Sequence, residues 1–484
     1  MKTTPKKPSL LWATITLLLP VSVILYGTVI MGIRPPILPL VGAIALAGFL
    51  CRCAGNSWAA LQEGMFEALG RVQIAIAILV MVGMIIAAWL ASGTIPAIIY
   101  WGLKLIAPAY FLLSTLVLCA IASIATGTSF ATMGTLGVAL LGVGTALGYP
   151  PAMTVGAIVS GAYIGDKISP VSDSTNITAA ICEVPLFQHI YSMLWTTVPS
   201  FLVAAIAYFF LGSAYASGQS VSLDSLEGIL NGLEASYSLN WVAFIPPVLM
   251  VVLAYMRLPV LPVMFICLMS GLIIACFEGH TLTELTRYLT SGFTSQTGVK
   301  ELDTLLSRGG IMSIMPTIVL LCCGIAFGGI LEKAQVLKVL LDALLHGAKS
   351  TVRLVTSTVI AGYLINFGTG SQMLAVIVPG RAFVEPFKNA DIHGIVLSRS
   401  CEDGGTIGCP LIPWSVHAFY ILGILNVTAY EFAPYAIVNW IVPLFSILCA
   451  LTGFGIWHRD GRPKNNFFSA TKPEPALEEK AEGV

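Results

Sequence analysis

Charge is what this chain has least of. Only 24 Lys plus Arg and 24 Asp plus Glu occur in 484 residues, a tenth of positions against about a quarter in soluble proteins. That scarcity excludes an ordinary water-soluble enzyme. A net charge of zero and the lack of a concentrated basic block exclude nucleic acid as a partner. The eleven cysteines, scattered from Cys51 to Cys449, show no zinc-ligand spacing, and in apolar runs they act as small hydrophobes. No phosphate loop of the G-x-x-x-x-G-K-[ST] type and no H-E-x-x-H occur. Neither an ATP-driven pump nor a zinc protease is indicated, and no cofactor is expected.

What is present is hydrophobicity along the whole length, 57% apolar residues with a mean hydropathy of +0.88. Most of the chain therefore sits in the bilayer. The fold class is an all-α polytopic membrane protein of about ten to twelve transmembrane helices. Lys2, Lys6 and Lys7 precede an uncharged run from Leu10 to Ile33 that lacks an A-x-A cleavage pattern and reads as a retained first span. These lysines, with Arg459, Arg462 and Lys464 after the last hydrophobic run, place both termini in the cytoplasm of a multi-pass cell-membrane protein. An even number of spans follows.

From Ile168 to Met256 there is no Lys or Arg, and the polar stretch 213–240 carries Asp224, Glu227 and Glu234. It is expected outside the cell, linking an N-terminal half, residues 1–212, to a C-terminal half, residues 241–457. Residues 458–484 read as a cytoplasmic tail. Residues Asn56 to Gln73, with Glu63, Glu67 and Arg71, predict an amphipathic helix at the cytoplasmic interface.

Two regions in each half carry unusual polarity. Thr126 to Thr145 has eleven Gly, Ser or Thr in twenty residues, which suits a re-entrant hairpin lining a cavity, with Thr128 and Ser129 in its turn. The stretch Gly165 to Asn176 follows, where Pro170 and the cluster Ser172, Asp173, Ser174, Thr175 and Asn176 predict an interrupted helix. Asp166 and Lys167 read as a local ion pair at the membrane edge. Asp173 has no basic neighbour, and an unpaired intramembrane carboxylate is a functional candidate by default.

The second half repeats this order. Asn366, Thr369, Ser371 and Gln372 form a polar island in an uncharged run, followed by Arg399, Glu402, Asp403 and Thr406. Aligning Gly127 with Gly368 gives an offset of 241, and Asp173 with Asp403 gives 230. Duplication with inversion is the expected architecture: two inverted repeats, each with a re-entrant hairpin and an interrupted helix.

The run GTSFATMGTLGVALLGVG, the run GDKISPVSDSTN with HIYSMLWTTVPS, and SRSCEDGGT with PLIPWS resemble the NhaC family of sodium/proton antiporters, which includes a sodium-lactate/malate-proton exchanger. The resemblance implies an Na+/H+ antiporter with Na+ as the transported ion, and a homodimer. Such an exchanger needs one site that holds either Na+ or a proton. Asp173 is the first choice for it, with Thr175 and Asn176 as its Na+ ligands, Ser172 and Ser174 beside them, and Thr128 and Ser129 approaching from the hairpin. The second-half counterparts are Asp403, Glu402 and Thr406, facing Asn366, Thr369, Ser371 and Gln372, with Arg399 neutralising Glu402. His189 and His417 are read as hydrogen-bonded packing residues.

Three rivals are distinguishable. A sodium- or proton-coupled exchanger of a small organic acid or amino acid would need that solute for flux. A channel would not be driven by an opposing sodium gradient, and an enzyme would work without any gradient.

Overall fold

The computed structural model describes residues 7–33, 35–218, 223–256, 258–346 and 350–464. Among them there is no β-strand, only isolated bridges such as Ile392 with His458. The first half runs through α1 (Leu10–Leu25), α2 (Ile37–Cys53), α3 (Trp58–Gly70), α4 (Gln73–Ala91), α5 (Thr94–Leu105), α6 (Phe111–Thr126), α7 (Ser129–Thr132), α8 (Val138–Ala146), α9 (Pro151–Ile168), α10 (Asp173–Ile181) and α11 (Leu186–Gly218). A wider helical turn, Met133–Gly137, joins α7 to α8. The linker region is itself largely helical, as α12 (Leu223–Ser236). The second half contains α13 (Ile245–Tyr255), α14 (Val260–Phe277), α15 (Leu282–Ser291), α16 (Lys300–Leu306), α17 (Ile311–Lys333), α18 (Val336–Leu345), α19 (Thr351–Thr369), α20 (Gln372–Asn389), α21 (Gly394–Gly408), α22 (Val416–Leu425), α23 (Ala429–Phe432) and α24 (Ile437–Thr452). Most of the tail expected at 458–484 lies outside the described residues.

Among the described residues, seven helices are long and apolar enough to cross a membrane, or ten if each of three bent pairs counts as one span. Ten meets the low end of the expected range. One bent pair is Gly394–Leu411 with Val416–Leu425, turning by 42°. Exposed Leu, Ile, Val and Phe side chains on α1, α11 and α14 form the surface that lipid would cover. By contrast α9 and α21 are buried along nearly their whole lengths, which is why they carry small and polar residues rather than a lipid-facing surface.

The helix α3 is not a free interfacial helix. It docks on α17, where Glu63 and Glu67 each reach Lys333 at 3.1 Å and Arg71 reaches Glu332 at 2.9 Å. A Cβ at Gly64 would stand 2.7 Å from the Gly329 carbonyl, so the two backbones are in contact there.

A local backbone arrangement recurs in the two halves. In the first half α6 ends at Gly127 (φ 73°), whose N–H binds the Ser123 carbonyl at 2.8 Å. In the second, α19 ends at Gly370 (φ 66°), whose N–H binds the Asn366 carbonyl at 2.7 Å. The Ser123 side chain donates to the Ala162 carbonyl, and the Asn366 amide donates to the Gly405 carbonyl. Gly127 packs on Val171 and Ser172, Gly370 on Trp414 and Ser415. Each of these correspondences is a step of 243 residues. The single offset of 243 replaces the expected 241 and 230: Gly127 pairs with Gly370 rather than Gly368, and Asp173 with Val416 rather than Asp403.

Candidate functional site

The two buried helices, α9 and α21, each carry an adjacent pair of ionisable residues. Consecutive residues on a helix do not share a face, so each pair splits. Asp166 turns to the α6–α7 break, where its Oδ1 accepts the Ser129 N–H at 2.7 Å and its Oδ2 the Ser129 hydroxyl at 2.5 Å. Lys167 turns the other way. Its Nζ lies 2.5 Å from Asp403 Oδ1 and donates to Thr196 Oγ1 at 2.8 Å. The expected Asp166–Lys167 pair is therefore absent, and Lys167 bridges the two halves instead.

On α21 the same divergence holds. Glu402 Oε1 accepts the Thr178 hydroxyl of α10 at 2.5 Å, and its Oε2 has no protein partner. Asp403 Oδ1 takes Lys167 and the Thr196 hydroxyl at 3.0 Å, while Oδ2 is unpartnered. Arg399 does not neutralise Glu402. Its guanidinium donates to the Gly455 carbonyl at 2.8 Å and the Ser192 carbonyl at 3.4 Å, leaving Nε and Nη2 without partners.

The interruption between α9 and α10 is built by the predicted hydroxyls. The last carbonyls of a helix lack intrahelical donors. Here Ser174 Oγ donates to the Asp166 carbonyl at 2.8 Å, and Thr175 Oγ1 to the Asp166 and Lys167 carbonyls at 3.0 Å. Ser172 Oγ lies 3.1 Å from Ser174 Oγ. Asn176 closes the break from outside, donating to the carbonyls of Pro170 and Ser172 at 2.9 and 2.8 Å. Asp173 opens α10 and is exposed, as is Asn176. Among the described residues, the carboxyls of the interior are Asp166, Glu402 and Asp403.

The second polar island is structural in the same manner. Asn366 holds Gly405 at 2.6 Å with its Oδ1 unpartnered, Gln372 Nε2 donates to Thr406 Oγ1 at 3.1 Å, and Thr406 adjoins Glu402. Thr369 binds its own helix at the Ile365 carbonyl, 2.7 Å away, and Ser371 caps α20. Thr128 is the extended residue between Gly127 and α7, its carbonyl accepting the Thr132 hydroxyl at 3.2 Å. At the step of 243, Asp166 corresponds to Cys409, which meets the Gln372 amide as Asp166 meets that of Ser129. The two halves thus share a frame but not a charge. Only the first half has a carboxylate at this position.

Sequence reasoning missed Thr178 and Thr196, which bind the second-half acids, and set Asp166 aside because a basic residue follows it. The helical geometry of adjacent residues was the available signal. No cluster of three His, Cys, Asp or Glu side chains fit to hold a metal occurs among the described residues. The oxygens here are carboxylates, hydroxyls and helix-end carbonyls, a hard-oxygen set suited to an alkali cation.

The chain is 35% identical over 439 residues to the Na+/H+ antiporter NhaC of Alkalihalophilus pseudofirmus, covering 90% of this chain and 94% of that protein. It is 35% identical to the malate-2H+/Na+-lactate antiporter of Bacillus subtilis over 86% of this chain and 88% of the relative. The Na+/H+ antiporter NhaC of the same organism is 34% identical over 85% of this chain and 91% of its own length. The profile of the Na+/H+ antiporter family matches residues 161–454, which include both adjacent pairs of buried ionisable residues, and this chain belongs to that family.

Proposed function

We propose that the chain exchanges Na+ for H+ across the cell membrane, both termini cytoplasmic, with Asp166 as the carboxyl that holds one ion or the other. The observation that carries this reading is the seat of Asp166: a buried carboxylate at an interrupted helix, held by Ser129 and bordered by the hydroxyls of Ser174 and Thr175. A hydroxyl that donates its hydrogen keeps lone pairs for a cation. Glu402 adjoins this seat from the second half, accepting the hydroxyl of Thr178 on α10, and Asp173 stands at its exposed edge. Thr175 and Ser172 are proposed around the ion, and Asn176 as the clasp that fixes the turn of the break.

Charge arithmetic supports exchange. Among the described residues, the buried acids are Asp166, Glu402 and Asp403, set against Lys167 and Arg399. One negative charge is in excess, and one Na+ or one proton neutralises it. Carrying an uncompensated charge through hydrocarbon is costly, so the loaded forms cross and the empty one does not. Coupling follows without ATP.

The test is proton efflux from sealed proteoliposomes on addition of Na+. Wild type and Asp173→Asn are expected to respond, Asp173→Asn with a changed sodium requirement, and Asp166→Asn to be silent. An active Asp166→Asn beside a silent Asp173→Asn would move the site to the exposed acid. A second reading, coupled exchange of a small organic anion, is favoured by the two unpartnered nitrogens of buried Arg399. It predicts proton movement only when malate or lactate accompanies sodium.

A further inference from the structure

Asp403 is fully buried, and so is its partner Lys167. The ammonium lies 2.5 Å from one carboxylate oxygen, Oδ1, and 2.8 Å from the Thr196 hydroxyl, while the other oxygen, Oδ2, has no protein partner. A buried ion pair gains little stability over apolar side chains of similar volume, so this pair calls for a role other than holding the fold. The frame needs no charge there either. At the step of 243, Asp403 corresponds to Ser160, a neutral residue that meets the Tyr208 hydroxyl at 2.8 Å and the Val438 N–H at 3.4 Å.

The groups around the Lys167 ammonium are those an alkali cation takes, a carboxylate and a hydroxyl, both hard oxygens. Lysine ends in a compact point charge rather than the planar fork of arginine, so it fills such a seat much as an ion does. The charge arrives from α9 of the first half, and the oxygens belong to α21 and α11. Thr196 Oγ1 lies 3.1 Å from the Met193 carbonyl of its own helix and 3.0 Å from Asp403 Oδ1, which fixes the hydroxyl beside the carboxylate. The neighbouring charges are engaged elsewhere. Arg399, four residues earlier on α21, directs Nη1 to the carbonyls of Ser192 and Gly455, and Glu402 turns to Thr178.

Resting on the exchange reading, we propose that Asp403 and Thr196 form a second alkali-cation seat, and that Lys167 occupies it as a tethered cation and so limits the carrier to the one Na+ at Asp166. With the ammonium in place the seat accepts no ion, and the interior keeps a single excess negative charge. Without it the empty interior carries two. A second Na+ is then needed before the loaded form can cross, because an uncompensated charge in hydrocarbon is costly. Lys167 thereby fixes the number of ions carried per cycle.

Counting bound sodium on the purified full chain tests this, at about pH 9 so that protons compete least for carboxylates. Radioactive Na+ is expected to bind at about one per chain in wild type, about two in Lys167→Met, and about one in the double variant Lys167→Met, Asp403→Leu. NaCl, compared with choline chloride of equal concentration, should raise the melting temperature of Lys167→Met by about twice the wild-type rise. Sodium-for-sodium exchange in proteoliposomes should follow the same count. At low external Na+ its initial rate should rise in proportion to concentration in wild type and about as the square in Lys167→Met, whereas a purely structural role would lower the rate without changing that order. The seat is overturned if Lys167→Met binds one Na+ beside a wild type that also binds one, or fails to fold in NaCl as in choline chloride. A double variant that still binds two would overturn it as well. Wild type that binds none, beside a Lys167→Met protein that binds one, would uphold the seat and defeat instead the reading at Asp166.

Discussion

The Lys167 ammonium lies 2.5 Å from Asp403 Oδ1, a fully buried ion pair that joins α9 of the first half to α21 of the second, with the Thr196 hydroxyl of α11 touching both. Breaking a buried pair strands a charge, at a cost of about 3–5 kcal/mol, whereas replacing both partners by apolar groups is nearly neutral. Lys167→Met and Asp403→Leu alone are expected to lose that much stability. The double variant should recover most of it. Thermal unfolding in one detergent, read for all four proteins, checks this, and additive losses would mean that the pair is not coupled.

Gly127 and Gly370 hold equivalent breaks at φ 73° and 66°, a conformation that costs an L-residue about 1–2 kcal/mol. Space is short as well. A Cβ would sit 2.9 Å from the Val171 carbonyl carbon at Gly127 and 2.9 Å from the Trp414 oxygen at Gly370. Alanine at either position should lower the melting temperature by similar amounts, and asparagine at Gly127, which tolerates this backbone, should cost less for its φ while still meeting the contact. A large loss at one site and none at the other would argue against a shared frame.

The membrane class, the interrupted helices and the polar islands are legible in the sequence because composition and proline report on local structure. The charge partners are not. Asp166 and Lys167 are neighbours in sequence and point apart on α9, and so are Glu402 and Asp403 on α21. Each finds its partner on a distant segment, Ser129, Asp403, Thr178 and Lys167 in turn, and no spacing rule reaches across such intervals. Asp173 looked unpaired because it is exposed, not because it is buried alone. The offset of 243 was hidden for a related reason. Matching acid to acid misaligns the halves, since the position equivalent to Asp166 is Cys409.

Outside the spans, Asp303 organises the turn before α16. Its Oδ1 accepts the Thr297 N–H at 2.6 Å and the Thr297 hydroxyl at 2.8 Å, and Oδ2 accepts the Gly298 N–H at 3.2 Å. The Thr297 backbone donor holds the carboxyl below its usual value, with the hydroxyls of Thr297 and Ser295 and the Gly298 N–H adding to it. A depressed folded-state value means that the stabilisation is present above the unfolded pKa of about 3.9 and is lost as pH falls through the folded one. Protection of segment 293–307 from limited proteolysis should hold from neutral pH down to about pH 4 and fail below it. Asp303→Asn should weaken it at neutral pH and remove its dependence on acid, and an unchanged Asp303→Asn would remove the carboxylate from the account.

The docking of α3 on α17 separates packing from surface charge. Arg71 and Glu332 are 39% and 40% exposed, and an ion pair in water of that kind contributes about 0–1 kcal/mol. Gly64 and Gly329, by contrast, bring two backbones together, and a Cβ at Gly64 would lie 2.6 Å from Lys333 Cβ. Neither backbone can yield without shifting a whole helix. Gly64→Val is therefore expected to cost about 1–3 kcal/mol through overpacking, while Arg71→Ala should stay within about 1 kcal/mol and lose even that in high salt. Unfolding of both variants at low and high ionic strength decides the matter. If Arg71→Ala proved the more damaging and salt relieved it, α3 would be held by charge, and the contact between the glycines would be incidental.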